Sequence, residues 1–479
     1  MTTAIVSKQM YVGGQWIDSS GGQTQPILNP ATGDVVAHVQ RGTAEDVQRA
    51  VSAARAAFDG DWSETTPAER SLMLWKLAQA LEDHAEDFIT LESLNVGKPR
   101  EVSEGDFEVI LDNVRFFAGA ARNLEGRASA EYMRGYTSMI RREPVGVVVS
   151  IAPWNYPLMM AVWKVGPALA AGNTVVLKPS ELTPLTALRM AELAADIFPP
   201  GVLNVITGDG EPVGAGLVRH PDVNMVSLTG DVSTGKEIAR AASQTLKRVH
   251  LELGGKAPVV IFDDADFEAV AEAVKIAGFW NSGQDCTAAT RLLVPDRVYD
   301  DLLSVLKPAV ESLTVGDPTG EVDMGPVISN DQLERVSGFV DRARDSGATV
   351  ISGGARDGDR GFFYRPSIVG DVGQDAEIVQ REVFGPVITV QRFAGDDEAI
   401  AWANDVPYGL AASVWTSNVS RALNAARRLK FGTVWINDHI PLVSEMPHGG
   451  FKQSGYGKDL SPYGIEDYTQ IKHVMAKFA

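Results

Sequence analysis

Residues 173–254 read NTVVLKPSELTPLTALRMAELAADIFPPGVLNVITGDGEPVGAGLVRHPDVNMVSLTGDVSTGKEIARAASQTLKRVHLELG. Four apolar runs recur in this stretch: TVVLKP (174–179), VLNVITG (202–208), NMVSLTG (224–230) and RVHLELG (248–254). Between them, residues 185–197, 212–218 and 235–242 carry apolar side chains at helical spacing. Buried strands alternating with helices predict a parallel sheet covered on both faces. Ligands in such sheets bind at the carboxyl ends of the strands. LKPSE (177–181), LTGDVSTG (228–235) and LELGG (251–255) follow or end strands and are the first places to look for chemistry.

A second alternating region begins at APVVIF (257–262). Helices are predicted over 267–280, 298–313 and 327–347. Further strands are RLLVP (291–295), TVISGG (349–354), the end of REVFGPVITVQRF (381–393) and TVWIN (433–437), with helical ALNAARRL at 422–429. A glycine-rich loop, HGGFKQSGYGKD (448–459), follows. Upstream, residues 11–41 read as short strands and turns. A helix over 43–58 is headed by Thr43. A second starts at Thr66, with Pro67 just inside and Glu69 three residues on, a capping box. A third spans 101–124 and ends in RNLEG. TSMIRREPVGVVVSI (137–151) reads as strand, turn, strand, with an arm at 139–142, and a terminal strand is expected from Ile465.

A chain of 479 residues outgrows one core, so two or three domains are expected. Apolar residues make up 44%, which excludes a disordered chain. With 43 Lys and Arg against 62 Asp and Glu, the net charge of -19 disfavours nucleic acid and anionic membranes as partners. It is compatible with an enzyme of cationic small molecules. The N-terminus has no export signature, and no apolar run approaches a membrane span. With one cysteine, this points to a reducing cytoplasm. The seven histidines show no metal-site spacing, so no metal is expected.

The lone cysteine, Cys286, sits in GFWNSGQDCTAATR (278–291). A buried core thiol is the bland reading. Its small and polar neighbours favour a reactive thiol, which needs a base or a lowered pKa.

With PWNYP (153–157), LKPSE, LTGDVSTG, LELGGK, GQDC (283–286) and EVFGP (382–386) in this order, nearly the whole chain resembles the NAD(P)-dependent aldehyde dehydrogenase superfamily. SEMPHGG (444–450) and SGYGKDLS (454–461) resemble its aminobutyraldehyde dehydrogenase branch, with betaine aldehyde dehydrogenases as near neighbours. The resemblance implies an α/β fold with two Rossmann-like parallel-sheet domains and a small β oligomerisation element. Residues 1–123 and 143–252 would bind NAD, 253–462 would form the catalytic domain, and 124–142 with 463–479 would form the oligomerisation element of a dimer or tetramer. An exposed strand edge needs such a cover.

The resemblance also implies roles. Cys286 would attack the aldehyde and, after hydride transfer to the nicotinamide, carry a thioester that water hydrolyses. Glu252 would be the base, where composition alone leaves a capping or pairing acid open. Asn155, otherwise a turn-capping residue, would donate to the developing oxyanion with the Cys286 backbone N–H. Lys178 and Glu181 would hold the adenosine ribose, Glu181 favouring NAD over NADP. Trp154 would line the same side. Gly230 and Gly235 would bracket a helix start facing the pyrophosphate. Asp231, where many relatives have Ser, is expected to cap that helix. Glu382 would hold the nicotinamide ribose and Phe384 pack on the ring.

The aldehyde tunnel implied by the resemblance is lined by Met160, Trp163, Trp280, Asp285, Leu442 and Glu445, with Asp106, Glu108 and Asp112 on the third helix. Aromatic rings and acids suit a cationic aldehyde. On spacing alone, Glu108 and Asp112 share a helix face, and a solvated face is the simpler reading. The expected reaction is NAD-dependent oxidation of a short ω-aminoaldehyde, 4-aminobutyraldehyde above all, in putrescine breakdown. Betaine aldehyde or a broad aliphatic aldehyde is the alternative substrate. A silent NAD-binding homologue is disfavoured by Cys286, Glu252 and Asn155 occurring together. A thioesterase-like acyl transferase leaves EVFGP and LKPSE unexplained, and Glu252 favours hydrolysis over transfer to CoA.

Overall fold

The computed structural model describes residues 6–124 and 128–478. Five parallel strands form the centre of an eight-stranded sheet: β1 (Val147–Ile151), β2 (Thr174–Lys178), β3 (Leu203–Val205), β4 (Met225–Gly230) and β5 (Arg248–Leu253). Their spatial order is 5-4-1-2-3. The chain winds outward from β1 to β3, then returns to lay β4 on the other side of β1. This reversal opens a crevice at the carboxyl ends of β1 and β4, where such sheets bind ligands. Residues 10–17 extend the sheet antiparallel beyond β3, and Gly455–Tyr456 pairs antiparallel with β5.

Alternation along the strands feeds two cores. Val148, Val175 and Leu177 pack into one, Val147, Val149 and Val176 into the other. The first core lies under helices α2 (Pro67–Asp83), α3 (Ala85–Val96), α4 (Arg100–Ala120), α5 (Pro157–Ala171) and α6 (Leu185–Ala194). The second is covered by α1 (Ala44–Asp59) and by α7 (Val232–Ala242). Thr43 and Thr66 both close capping boxes, with Asp46 and Glu69.

The second sheet has seven strands, six of them parallel: β6 (Ala257–Ile261), β7 (Ala289–Pro295), β8 (Ser367–Gly370), β9 (Val387–Phe393), β10 (Ala411–Trp415) and β11 (Thr433–Ile436). Only Gly254, Gly255 and Lys256, all buried, join β5 to β6. A third, antiparallel sheet sets Tyr136–Pro144 between Ala130–Met133 and Thr469–Lys477, with unbroken register from Thr469 opposite Pro144 to Lys477 opposite Tyr136. It leaves Tyr132, Met133, Ile471 and Met475 exposed. Among the described residues no helix is long and apolar enough to cross a membrane. The α/β expectation with parallel sheets holds.

Several elements differ from the sequence reading. The helices α3 and α5 were not expected. Every residue of α5 is buried, so it has no polar face and no amphipathic signal, and Pro157 and Pro167 mask it further. The third expected helix stops at Ala120, and Glu125 and Gly126 of RNLEG lie outside the described residues. The tail from Ile465 is first helical, over Ser461–Asp467, and becomes a strand only at Thr469. The expected helix over 235–242 begins at Val232 because Asp231 caps it there.

Candidate active site

A cavity of about 610 Å³ lies where the ends of β1, β4 and β5 meet the Cys286 loop. β1 delivers Trp154 and Asn155, β4 delivers Thr229, Gly230 and Asp231, and β5 delivers Glu252. The first turns of α5 contribute Met159, Met160 and Trp163.

The Cys286 loop is held in an unusual backbone shape. Asn281, Ser282 and Gly283 are consecutively left-handed, with φ of 49°, 58° and 68°. Such residues cost roughly 1–3 kcal/mol each unless glycine, so the surroundings must fix them. They do: Gln284 Nε2 donates to Asn281 O at 3.0 Å, its Oε1 accepts from Ile328 N at 2.9 Å, and Ser282 Oγ donates to Gly325 O at 2.8 Å. A methyl group on Gly255 would stand 2.0 Å from Cys286 O, so the second glycine of LELGG is what lets β5 abut this loop. The thiol is partly accessible. Burial, then Asp285, Glu382 and Glu252, push it well above its ordinary pKa, so it rests protonated and needs a base.

Glu252 is 4% exposed, and neither carboxylate oxygen has a hydrogen-bond partner among the described residues. Burial, then Asp459, raise its pKa well above the usual carboxylate range, while His250, Lys164 and Lys458 oppose the shift. A carboxyl held above the ordinary range in this way is suited to accept and release a proton in the site. Asn155 is buried beside the thiol loop: its Nδ2 donates to Gln284 O at 2.9 Å, and Asn281 Nδ2 donates to Asn155 O at 2.9 Å.

On another wall, Trp154 meets Phe384 edge-on, centroids 5.2 Å apart. Glu382 accepts from Gly255 N at 2.8 Å, and burial lifts its pKa to about 7. A methyl on Gly254 would reach Glu382 Oε2 at 2.3 Å. Lys178 and Glu181 lie at the end of β2, beyond the lining of this cavity. Lys178 Nζ is buried and makes only long contacts, 3.2 Å to Pro179 O and 3.4 Å to Glu181 Oε2. Asp231 accepts from Ser233 N at 2.7 Å, the capping expected of it. Gly230 ends β4 and Gly235 lies in the first turn of α7, on the two sides of the helix start. At Gly235 a methyl would be 2.6 Å from Leu253 Cδ1, so this glycine also serves helix–sheet packing. Sequence reasoning missed Gln332 and Arg335, which brace EVFGP through Phe384 O and Glu382 O at 2.6 and 2.7 Å. Thr229 Oγ1, buried at the end of β4 without a partner among the described residues, and the under-bonded Lys178 ammonium are donors suited to a polar cofactor in the crevice.

Met160, Trp163, Trp280, Asp285, Leu442 and Asp106 all line the cavity, whereas Glu108, Asp112 and Glu445 are exposed and do not. On α4, Asp106 and Glu108 are two positions apart and therefore face opposite ways. Asp112 acts at a distance. It accepts from Ser444 Oγ at 2.5 Å, Asn113 Nδ2 donates to the same hydroxyl at 2.7 Å, and Trp163 Nε1 donates to Asn113 Oδ1 at 2.6 Å. This chain fastens the Leu442 loop to α4 and α5. Asp285 is not a bare charge: Tyr156 OH donates to Oδ2 at 2.7 Å, and Thr287 N and Oγ1 donate to Oδ1 at 2.6 Å each. Asp106 shares the buried Lys98 ammonium with Glu92, at 2.7 and 3.0 Å, and Lys98 Nζ stands 4.1 Å over the Tyr156 ring. Burial raises the pKa of both acids. Tyr156, Glu92, Lys98 and Asp459 were not singled out from sequence: Tyr156 and Asp459 find their partners far along the chain, and no local pattern announces that Glu92 and Lys98, six residues apart, are buried, while His448, which reads as structural or tunnel-adjacent in MPHGG, lines the cavity. GKP at 97–99 was the one available signal.

Comparison with known proteins accords with this geometry. The model of the aldehyde dehydrogenase family matches residues 16–474. A betaine aldehyde dehydrogenase of Bacillus subtilis (strain 168) is 41% identical over 476 residues, 98% of this chain and 97% of its own. A chloroplastic aminoaldehyde dehydrogenase of Arabidopsis thaliana is 39% identical over 485 residues, 99% of this chain and 97% of its own. An NAD+ complex of an aldehyde dehydrogenase from Bacillus cereus superposes with a TM-score of 0.97 at 41% identity, covering 99% of this chain and 97% of that one. The chain therefore belongs to the aldehyde dehydrogenase family, with the fold of that family and NAD as its cofactor.

Proposed function

We propose that this aldehyde dehydrogenase oxidises short ω-aminoaldehydes irreversibly, with 4-aminobutyraldehyde going to 4-aminobutyrate as the preferred reaction. The observation that carries the substrate class is the charge balance of the cavity wall. Asp106 on the wall and Glu92 outside the lining share the single ammonium of Lys98, and Asp285 adds a second acid to a wall that also holds Tyr156, Trp163 and Trp280. A surplus buried carboxylate is costly alone and is offset by an incoming cation. The aromatic faces add cation–π attraction.

In this reading Cys286 Sγ, deprotonated by Glu252 directly or through water, attacks the aldehyde carbon. The second Asn155 N–H and the Cys286 backbone N–H take the oxyanion, one such donor being worth about 3 kcal/mol in other enzymes. NAD, when bound, would supply the hydride acceptor that turns the Cys286 adduct into a thioester. Glu252 then takes a proton from the water that attacks the thioester, the C–S bond breaks, and the acid leaves. Glu382 would hold the nicotinamide ribose and Phe384 pack on the ring, Gly230 and Gly235 would flank the helix start facing the pyrophosphate, and Lys178 and Glu181 would hold the adenosine ribose with Trp154 lining the same side. Residues 1–123 with 143–252, and 253–462, would work as cofactor and catalytic domains. Residues 124–142 with 463–479 would form the oligomerisation element that joins copies into a cytoplasmic dimer or tetramer.

Oxidation of betaine aldehyde is the second reading, favoured by the name of the Bacillus subtilis relative. The test is NADH production across 4-aminobutyraldehyde, 3-aminopropionaldehyde, betaine aldehyde and butyraldehyde, with Cys286→Ala as control. A preference of about 100-fold in kcat/KM for aminobutyraldehyde over butyraldehyde corresponds to roughly 2.7 kcal/mol read from the amine. Equal rates would overturn the cationic reading, and preference for betaine aldehyde would move the second reading to the front.

A further inference from the structure

Oxidation of an aldehyde with water and NAD to a carboxylate and NADH releases two protons, yet Glu252 is buried. Resting on the cysteine and glutamate roles above, we propose that His250 relays protons from Glu252 and Asp459 to Asp467 at the surface.

Glu252 and His250 are two apart on β5 and so project from the same face of the sheet. The carboxylate of Glu252 lies over Gly449, where a methyl would stand 2.4 Å from Oε1. The preceding residue, His448, is paired through both backbone hydrogen bonds with Asp459, which lines the cavity beside Glu252. Asp459 Oδ1 lies 3.1 Å from His250 Nε2, a close ion pair without hydrogen-bond alignment. On the other side of the imidazole, Nδ1 bonds Asp467 Oδ2 at 3.1 Å. His250 and Asp459 side chains are each 1% exposed, whereas Asp467 is 39% exposed. The imidazole thus stands between a carboxylate open to the cavity and one open to solvent. Room for it is provided by Gly457, at φ 98°, where a methyl would come within 2.5 Å of Nδ1. Lys164, 3.5 Å from Asp459 Oδ2 and fully buried, is a charge partner with no outlet.

The transfers balance. The attacking water forms the C–O bond and gives its proton to Glu252, as the C–S electron pair returns to Cys286. Glu252 passes that proton to Asp459. The neutral imidazole, with its one proton on Nδ1, receives it at Nε2 as the Nδ1 proton moves to Asp467, which loses it to water; the imidazolium, protonated on both nitrogens, must first release one before it takes part. No other reactant is needed.

The same contacts also fasten the helix Ser461–Asp467 to β5, so the test must separate relay from staple. His250→Gln and the surface variant Asp467→Asn are compared with wild type by steady-state rate, by intact mass of enzyme quenched during turnover, and with added imidazole. A relay predicts that His250→Gln turns over about tenfold more slowly, accumulates the acyl-enzyme, shows a larger solvent deuterium effect and regains rate with imidazole. Asp467→Asn shows the same pattern more weakly. A rate within twofold of wild type, or a loss without adduct and without rescue, overturns the relay. Aldehyde oxidation surviving in Cys286→Ala would instead overturn the cysteine reading on which it rests.

Discussion

Asp106 and Glu108 show how two neighbouring acids take different fates: one is drawn into a buried pair with Lys98, the other left in water. Replacing Asp106 by Asn should raise KM for 4-aminobutyraldehyde about tenfold while leaving butyraldehyde within about twofold, a difference of roughly 1.4 kcal/mol read from kcat/KM. Glu108→Gln should change neither. Glu252→Gln should lower kcat by a factor on the order of 10² or more, as loss of a general base does. Since burial and Asp459 raise the Glu252 pKa, and only the carboxylate accepts a proton, kcat should rise with pH through a limb above the ordinary carboxylate range. Asp459→Asn removes the negative charge that contributes to the shift, so the limb should move to lower pH in a pH–rate profile. Cys286, Glu252 and Asn155 were legible because their short motifs are local. Asp459 was not, since only folding brings His250 and Lys164 near it, and Glu92 and Lys98, though six residues apart, were not because nothing local announces that the pair is buried.

The loop bearing Cys286 depends on glycines of other segments. Gly255→Ala would drive a methyl into the Cys286 carbonyl, and no flexible side chain stands there to yield. We expect a loss on the order of 4 kcal/mol in chemical denaturation, or failure to fold, consistent with severe overpacking. Ser444→Ala is milder. It removes the hydroxyl between Asp112 and Asn113, should cost about 1 kcal/mol in stability, and should raise KM several-fold by loosening the Leu442 loop. The parallel strands were readable as apolar runs between turns. The helix Pro157–Ala171, which carries Met160 and Trp163, was not, because burial on every side erases the periodicity by which a helix is recognised.

The antiparallel sheet at 130–144 and 469–477 presents Tyr132, Met133, Ile471 and Met475 to solvent, more apolar surface than a lone copy benefits from. Sedimentation should find a dimer or tetramer, and removal of residues 470–479 should give smaller or aggregating species. Stability should also depend on His250. Burial lowers its pKa, but Asp459 and Asp467 outweigh this and lift it from 6.5 to about 9. Its contribution is therefore complete below about pH 6.5 and lost as pH rises through about 9. Thermal scans should show Tm falling across that interval, and His250→Gln should flatten the fall. The single cysteine has a practical consequence of its own. Because no other thiol exists in the 479 residues, alkylation has one address. If Cys286 carries the reaction, every mole of reagent incorporated silences one mole of enzyme, and a plot of residual activity against added mass gives a straight line whose intercept counts the competent chains in any preparation.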